Sequence, residues 1–239
     1  MVLDFKGRVS FVAGGTGGLG RAVTLAFLDE QAKVHVTYRN QDEVDGLRVA
    51  AGARAGQLEA HNVDVTEEGA VREVMESILA KEGGLDILVN TVGGYVGGIK
   101  LWELDEKVFA RMVALNLRSG YVMAHAAVPL MLKQGRGAIV NVAAKAAVDH
   151  GAGAAAYAAS KAAALALFDS LAADLRGTGV RVNSVLPSII DTPANRNAMP
   201  KADFAKWPKP EEIARVIVFL CSEGACVIHG AAIPVYGSD

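Results

Sequence analysis

Two hydrophobic periods alternate along this chain. RVSFVA (8–13), KVHVTY (33–38), QLEAHNVDV (57–65), LDILVN (85–90), GAIVNVA (137–143), VRVNSVL (180–186) and AAIPVY (231–236) are short apolar runs rich in β-branched residues. Such runs predict strands. Between them the apolar positions recur at helical spacing. LGRAVTLAFLDEQ (19–31) places Ala22, Leu25, Ala26 and Leu28 on one face. EVDGLRVAAGA (43–53) reads as a helix weakened by its glycines. TEEGAVREVMESILAKEG (66–83) reads as a helix capped by Thr66 and stopped at Gly83. One long helix is predicted over 105–134, bent or ended by Pro129. An alanine-rich helix is predicted over 154–176, and PEEIARVIVFLCS (210–222) forms the last one.

This order is βαβ repeated over nearly the whole length. Strands apolar on both faces belong to a parallel sheet covered by helices on both sides. Right-handed crossovers then give a Rossmann-type, doubly wound α/β fold in a single domain, 1–239. The segment ANRNAMPKADFAKWPKP (194–210) is the one long irregular stretch, of the kind that serves as a lid or binding loop.

Composition narrows the function classes. The chain is 51% hydrophobic with a net charge of −2, and its Lys and Arg are scattered, which gives no footprint for nucleic acid. No apolar stretch approaches the roughly 20 residues of a membrane helix. MVLDFKGRV lacks the apolar core of a secretory leader. Cys221 and Cys226 make no disulfide framework and have no zinc-ligand company, so no metal is expected. A soluble, cytoplasmic protein acting on a small molecule is expected.

The first strand runs into AGGTGGLG (13–20), in which Gly15, Gly17 and Gly20 satisfy G-x-G-x-x-G. Its place between a strand and a helix start is where a pyrophosphate meets free helix N–H groups. The second strand ends in Tyr38-Arg39-Asn40, without the acid that usually binds the ribose hydroxyls of NAD. An arginine there can pair a 2′-phosphate, so NADP(H) is favoured over NAD(H).

Together these residues resemble the short-chain dehydrogenase/reductase family over almost the whole chain. The family's T-G-x-x-x-G-[IL]-G fingerprint matches Gly14, Gly18, Leu19 and Gly20, with Ala13 replacing its threonine. Its N-N-A-G segment appears as Asn90-Thr91-Val92-Gly93, its helix asparagine as Asn116, its Y-x-x-x-K pair as Tyr157 and Lys161, and its P-G-x-x-x-T loop as Pro187, Ser188 and Thr192. The resemblance implies strand order 3-2-1-4-5-6-7 and a nicotinamide cofactor held by Gly14, Thr16, Gly17, Gly18, Leu19, Gly20, Arg39, Asp64, Val65, Asn90, Val92, Gly93, Tyr157, Lys161, Pro187, Ser188, Ile190 and Thr192. It implies that Tyr157 exchanges a proton with the substrate oxygen while Lys161 binds ribose and Asn116 holds a water leading to Lys161. It also implies a homotetramer or homodimer formed through the long helix and the alanine-rich helix; the small side chains at Ala158, Ala162 and Ala166 would permit close approach there, and suit packing on the sheet as well. A unit charge about 5 Å from the phenol, at an effective dielectric of about 20, contributes roughly 3 kcal/mol. That would lower Tyr157 by roughly two units, toward working pH.

One family residue is missing. The serine expected 13 positions before the tyrosine falls on Ala144, and no Ser or Thr lies between Asn141 and Gly153. Loss of one preorganised donor costs about 2.7–4 kcal/mol in catalysis. Three readings stay open: an activated quinonoid or imine substrate that needs no serine; a substitute donor such as Lys145, His150, a water or a group of the 194–210 loop, which would serve a 3-oxoacyl or ketone reductase; or an NADP-binding regulatory protein with little activity. LPSIIDTPANRNAMPKADFAKW also resembles dihydropteridine reductases, through Asp191, Thr192, Pro193, Asn195, Arg196, Met199, Pro200, Ala202, Asp203, Phe204 and Trp207. Those family members keep the Tyr-Lys pair without the serine. Ala144, Lys145, Met199, Phe204 and Trp207 are therefore the candidate substrate residues, although the last three equally suit closure of the loop over the core.

Overall fold

The computed structural model describes residues 5–238. Strands β1 (Val9–Ala13), β2 (Lys33–Tyr38), β3 (Leu58–Asn62), β4 (Ile87–Asn90), β5 (Gly137–Val142), β6 (Val180–Pro187) and β7 (Ala232–Val235) form one seven-stranded sheet. Their order is β3-β2-β1-β4-β5-β6-β7, and every neighbouring pair is parallel. The strand residues divide between two cores. Val12, Val34, Val36, Ile87, Val89, Val140 and Val185 pack under α1 (Gly18–Asp29) and α2 (Gln41–Ala51), together with a last helix whose apolar residues include Ile213 and Ile217. Val9, Phe11, Ala13, Leu88, Ile139, Val180 and Val182 pack on the other face, under α3 (Glu68–Glu82) and two later helices. Two-sided burial makes the inner strands read as continuous apolar runs, while the edge strands β3 and β7 are only partly buried.

The remaining helices are α4 (Glu106–Val113), α5 (Ser119–Gln134), α6 (Ala155–Asp174), α7 (Pro193–Ala198) and α8 (Pro210–Cys221), α8 being the last helix of the first face. The predicted 105–134 helix is interrupted, but not at Pro129, which sits inside α5. The break is one π-helical turn, Ala114–Arg118, between α4 and α5. Thr66 does not cap α3. Its N–H and hydroxyl both donate to Asp64 (2.9 and 2.7 Å), and α3 begins two residues later. The 194–210 stretch is more regular than expected: Thr192 accepts from the Asn195 N–H at the start of α7, and a 3₁₀ turn covers Phe204–Lys206. Among the described residues, no helix is long and apolar enough to cross a membrane.

The alanine content of α6 has a packing cause. Ala156, Ala158, Ala164, Leu165, Phe168 and Ala172 are all buried, so the helix is enclosed on several sides by neighbours that larger side chains would push away.

Candidate active site

The turn from β1 to α1 is built for close approach. Gly14 has φ of +74°, a conformation L side chains rarely adopt, and its N–H donates to Thr37 Oγ1 at 2.8 Å. A Cβ at Gly20 would overlap the Gly14 carbonyl oxygen at 2.0 Å, and one at Gly15 would meet Val36 Cγ1 at 2.5 Å. Those two glycines serve strand–helix packing. Gly17 is different: it flanks the α1 N-terminus without a side-chain cap, and the first turn carries no acid. The first N–H groups of α1, at Gly18, Leu19 and Gly20, therefore have no side-chain acceptor at the cap, an arrangement that fits a dinucleotide phosphate. A Cβ on Gly18 would stand 3.0 Å from Thr192 Cγ2, so the segment after β6 closes against the same turn. There Ser188 donates to the Tyr236 carbonyl (2.7 Å), and the Ile190 carbonyl accepts from Thr192 N and Asn195 Nδ2.

Arg39 and Asp64 follow β2 and β3. Their charged atoms lie 3.6 Å apart and both side chains are more than half exposed. The Thr66 N–H, then its hydroxyl, hold the Asp64 carboxyl below its usual range, and Arg39 adds to this. Val65 is buried beside them. The Thr16 hydroxyl donates to Glu43 Oε2 at 2.7 Å. Glu43, in the first turn of α2, is a site neighbour that the sequence reading passed over.

The centre of the site joins three elements. Asn90, at the end of β4, donates to Asn141 (3.2 Å) and accepts from the Val92 N–H (3.3 Å). In the π turn, Asn116 Oδ1 accepts from the Gly94 N–H (2.9 Å), while its amide donates to the Gly94 carbonyl and to Ser160 Oγ, both at 3.0 Å. Ser160 in turn donates to the Tyr157 carbonyl at 2.8 Å. A Cβ at Gly93 would come within 2.9 Å of Asn116 Oδ1 and 3.1 Å of Lys161 Nζ. The loop after β4, the π turn and α6 thus meet at one point.

Tyr157 and Lys161 lie four residues apart near the start of α6. Lys161 is 5% exposed and donates to the Val142 carbonyl at 2.8 Å. Burial pulls its ammonium down to about 8. Burial also pushes the Tyr157 phenol up to about 12, with Tyr95 contributing in the same direction. This corrects the expectation of a phenol lowered toward working pH: desolvation of the ring outweighs any help from the ammonium. Tyr95 packs edge-on to Tyr157, with centroids 4.9 Å apart and planes at 82°. Its own ring is 67% exposed, and a Cβ at Gly97 would overlap its hydroxyl at 2.0 Å. No motif marks Tyr95; its loop position gave no periodic signal.

Ala144 is buried where β5 leaves the sheet. Lys145 sits with Nζ 5.1 Å above the Tyr236 ring, and His150 is exposed. In the 194–210 segment, Arg196 pairs with Asp191 at 2.5 Å and lies 4.9 Å over Phe204. Phe204 stacks on Trp207 at 5.0 Å. Trp207 is 7% exposed and serves the packing of its own loop, while Phe204 and Met199 are half-buried.

Comparison with known proteins identifies the family. The enoyl-(acyl carrier protein) reductase family matches residues 13–237. The chain is 31% identical to the 3-oxoacyl-[acyl-carrier-protein] reductase of Thermotoga maritima, covering 98% of each, and 34% identical to the meso-2,3-butanediol dehydrogenase of Serratia marcescens, covering 98% of this chain and 95% of that one. Among solved structures, a short-chain dehydrogenase/reductase from Mycobacterium ulcerans aligns with TM-score 0.93 at 26% identity, covering 99% and 90% of the two chains. ElxO with NADP bound aligns with TM-score 0.90 at 25% identity, covering 96% and 97%. The chain belongs to the short-chain dehydrogenase/reductase family of oxidoreductases.

Proposed function

We propose that this protein is an NADP(H)-dependent reductase of a small planar substrate, with Tyr157 as proton donor. A bound nicotinamide nucleotide supplies the hydride. The chain's own residues divide the rest. The α1 N-terminus, with Gly14, Gly17, Gly18 and Leu19, holds the pyrophosphate, and Arg39 and Asp64 frame the adenosine end. Asn90, Val92, Gly93, Pro187, Ser188, Ile190 and Thr192 line the nicotinamide end. Lys161 presents its ammonium to the ribose, and Asn116 fixes the backbone that borders it. Tyr157 gives its proton to the substrate oxygen or nitrogen as hydride arrives.

A phenol held at about 12 keeps its proton at neutral pH, as a proton donor must. Arg39 supports NADP(H), and ElxO, solved with NADP, is a relative of the same fold. Glu43, held on the Thr16 hydroxyl, puts the opposite sign nearby, so the preference over NAD(H) is modest. With Ala144 in place of a hydroxyl, the substrate is a quinonoid ring or imine that needs one proton donor only. Tyr95 and the exposed part of Phe204 offer it flat aromatic walls. The enzyme works in the cytoplasm as a homotetramer or homodimer.

The observation that carries this reading is the buried Lys161 ammonium, fixed at Val142 and touching the space of Gly93, one helical turn from Tyr157. The test is NADPH consumption with quinones, dihydropterins, imines and ketones. Turnover should fall at least a hundredfold in Tyr157→Phe with NADPH binding retained. Tight NADPH binding without turnover of any compound would instead assign a regulatory role, a reading whose one support in the sequence is Ala144.

A further inference from the structure

On the α3 face of the sheet, away from the cleft, β2 and β3 carry a polar cluster that the proposed reaction does not use. His35 lies opposite Glu59 in the strand register, and His61 is two residues further along β3 on the same face. His35 is only 2% exposed, in a position where its strand neighbours on the other face are valines. Its Nδ1 stands 3.1 Å from His61 Nε2, and the rings are within 17° of parallel. Glu59 Oε2 is 4.0 Å from His35 Nδ1, and one ligand atom from each of the three residues lies within 4.8 Å of the others.

We propose that His35, His61 and Glu59 bind a zinc-class divalent ion. Two imidazole nitrogens on a tetrahedral zinc, each bonded at about 2.0–2.1 Å, are separated by about 3.3–3.4 Å. The pair at 3.1 Å needs only slight widening, and the carboxylate, 4.0 Å from His35 Nδ1 with the three ligand atoms within 4.8 Å of one another, an approach of roughly 0.6–1.4 Å, to meet that geometry. The other face of His35 supplies an independent sign. Its Nε2 faces Glu82 Oε1 at 3.6 Å. That is an ion-pair distance and not a hydrogen bond; on slight closing, Glu82 would become the carboxylate that fixes the tautomer and raises the basicity of a ligating imidazole. Imidazole and carboxylate together suit zinc, copper or nickel rather than calcium or magnesium.

Access and charge are consistent with a site that fills from solvent. β3 is the edge strand, and Glu59 and His61 are partly exposed. The ion's competitor is the Lys81 ammonium, which pairs with Glu59; its side chain is 59% exposed and free to turn outward. Lys33 stays on Glu82 at 2.6 Å. A bound ion would pin β2 to β3 just before the chain turns out toward Arg39 and Asp64.

The test uses the whole protein, stripped with a chelator, titrated with ZnCl₂ by calorimetry and with CoCl₂ in the visible range. One equivalent per chain is expected, with the intense cobalt bands of a four-coordinate site, and a rise in Tm on adding zinc. Glu82→Gln should weaken binding about 10–100-fold. His61→Gln should abolish it, and Lys81→Met should tighten it by freeing Glu59. Should His61→Gln not fold, Glu59→Gln, at a half-exposed position, carries the same expectation of lost binding. Absence of saturable binding in the wild type, or equal binding in the wild type and the Glu59 variant, overturns the proposal; equal binding would place the ion elsewhere, as at the exposed His125–Glu68 pair.

Discussion

Lys161→Met should stabilise the protein at neutral pH, and the gain should disappear on the alkaline side. The ammonium is 5% exposed, and burial brings it from 10.5 to about 8. Between these values the unfolded chain holds a proton that the folded chain has released. Raising the pH through that window therefore favours folding of the wild type, and below about 8 the buried charge weighs against it in full. The shift corresponds to about 3.4 kcal/mol. Methionine keeps the length of the stem but leaves the Val142 carbonyl without its donor, at a cost of about 1–3 kcal/mol. A net gain of roughly 0.4–2.4 kcal/mol should remain at pH 7, which raises Tm by about 1–10 °C for a domain of this size. The cleaner measurement is urea unfolding of both proteins at pH 7 and pH 10. The linkage relation gives the wild type about 2.5 kcal/mol relative to the variant over that interval. Groups common to both, such as Cys221, whose thiol burial pushes up to about 12, cancel in the difference. A stability difference that stays constant with pH would refute the claim that the ammonium is held in an unfavourable setting.

Other outcomes follow from single contacts. Gly93→Ala places a methyl 2.9 Å from Asn116 Oδ1 and 3.1 Å from Lys161 Nζ; it should cost about 1–3 kcal/mol in thermal unfolding and weaken NADPH binding measured by fluorescence. Ala144→Ser should raise kcat/KM for unactivated ketones by up to about a hundredfold while leaving quinonoid substrates unchanged; a flat response for both would mean that another donor already fills that place. Arg39→Asp should move the NADPH-to-NADH ratio of kcat/KM toward NADH by at least tenfold, and an unchanged ratio would show that Arg39 does not read the 2′-phosphate.

The fold was legible because strands buried on both faces leave unbroken apolar runs, and the helices between them keep their stripes. The break in the 105–134 helix was not, since a π turn alters the hydrogen-bond register without disturbing the apolar spacing that a sequence displays. Pro129 was the visible breaker, yet α5 accommodates it. Thr66 followed the capping pattern, but Asp64 captured its hydroxyl first. In the site, the i, i+4 spacing of Tyr157 and Lys161 was readable from position alone. The height of the phenol's pKa was not, because it depends on burial and on Tyr95, a residue 62 positions earlier in the chain. The links Thr16–Glu43 and His35–His61 were likewise invisible, each joining positions 26 or 27 residues apart.

The π turn has a consequence for how this chain tolerates change. A π turn holds one more residue than the α turn it replaces. Winding Ala114–Arg118 as ordinary α-helix with no residue removed would make α4 and α5 one continuous α-helix. Every side chain downstream as far as Gln134 would then swing by about 100° around the axis. Gly120, whose missing side chain leaves room for Phe168 and Asn90, would be carried off its seat and a bulkier neighbour driven in. The π turn absorbs its extra residue without a change of phase: the early half of the helix stays turned toward Gly94 and Ser160, and the later half toward the sheet.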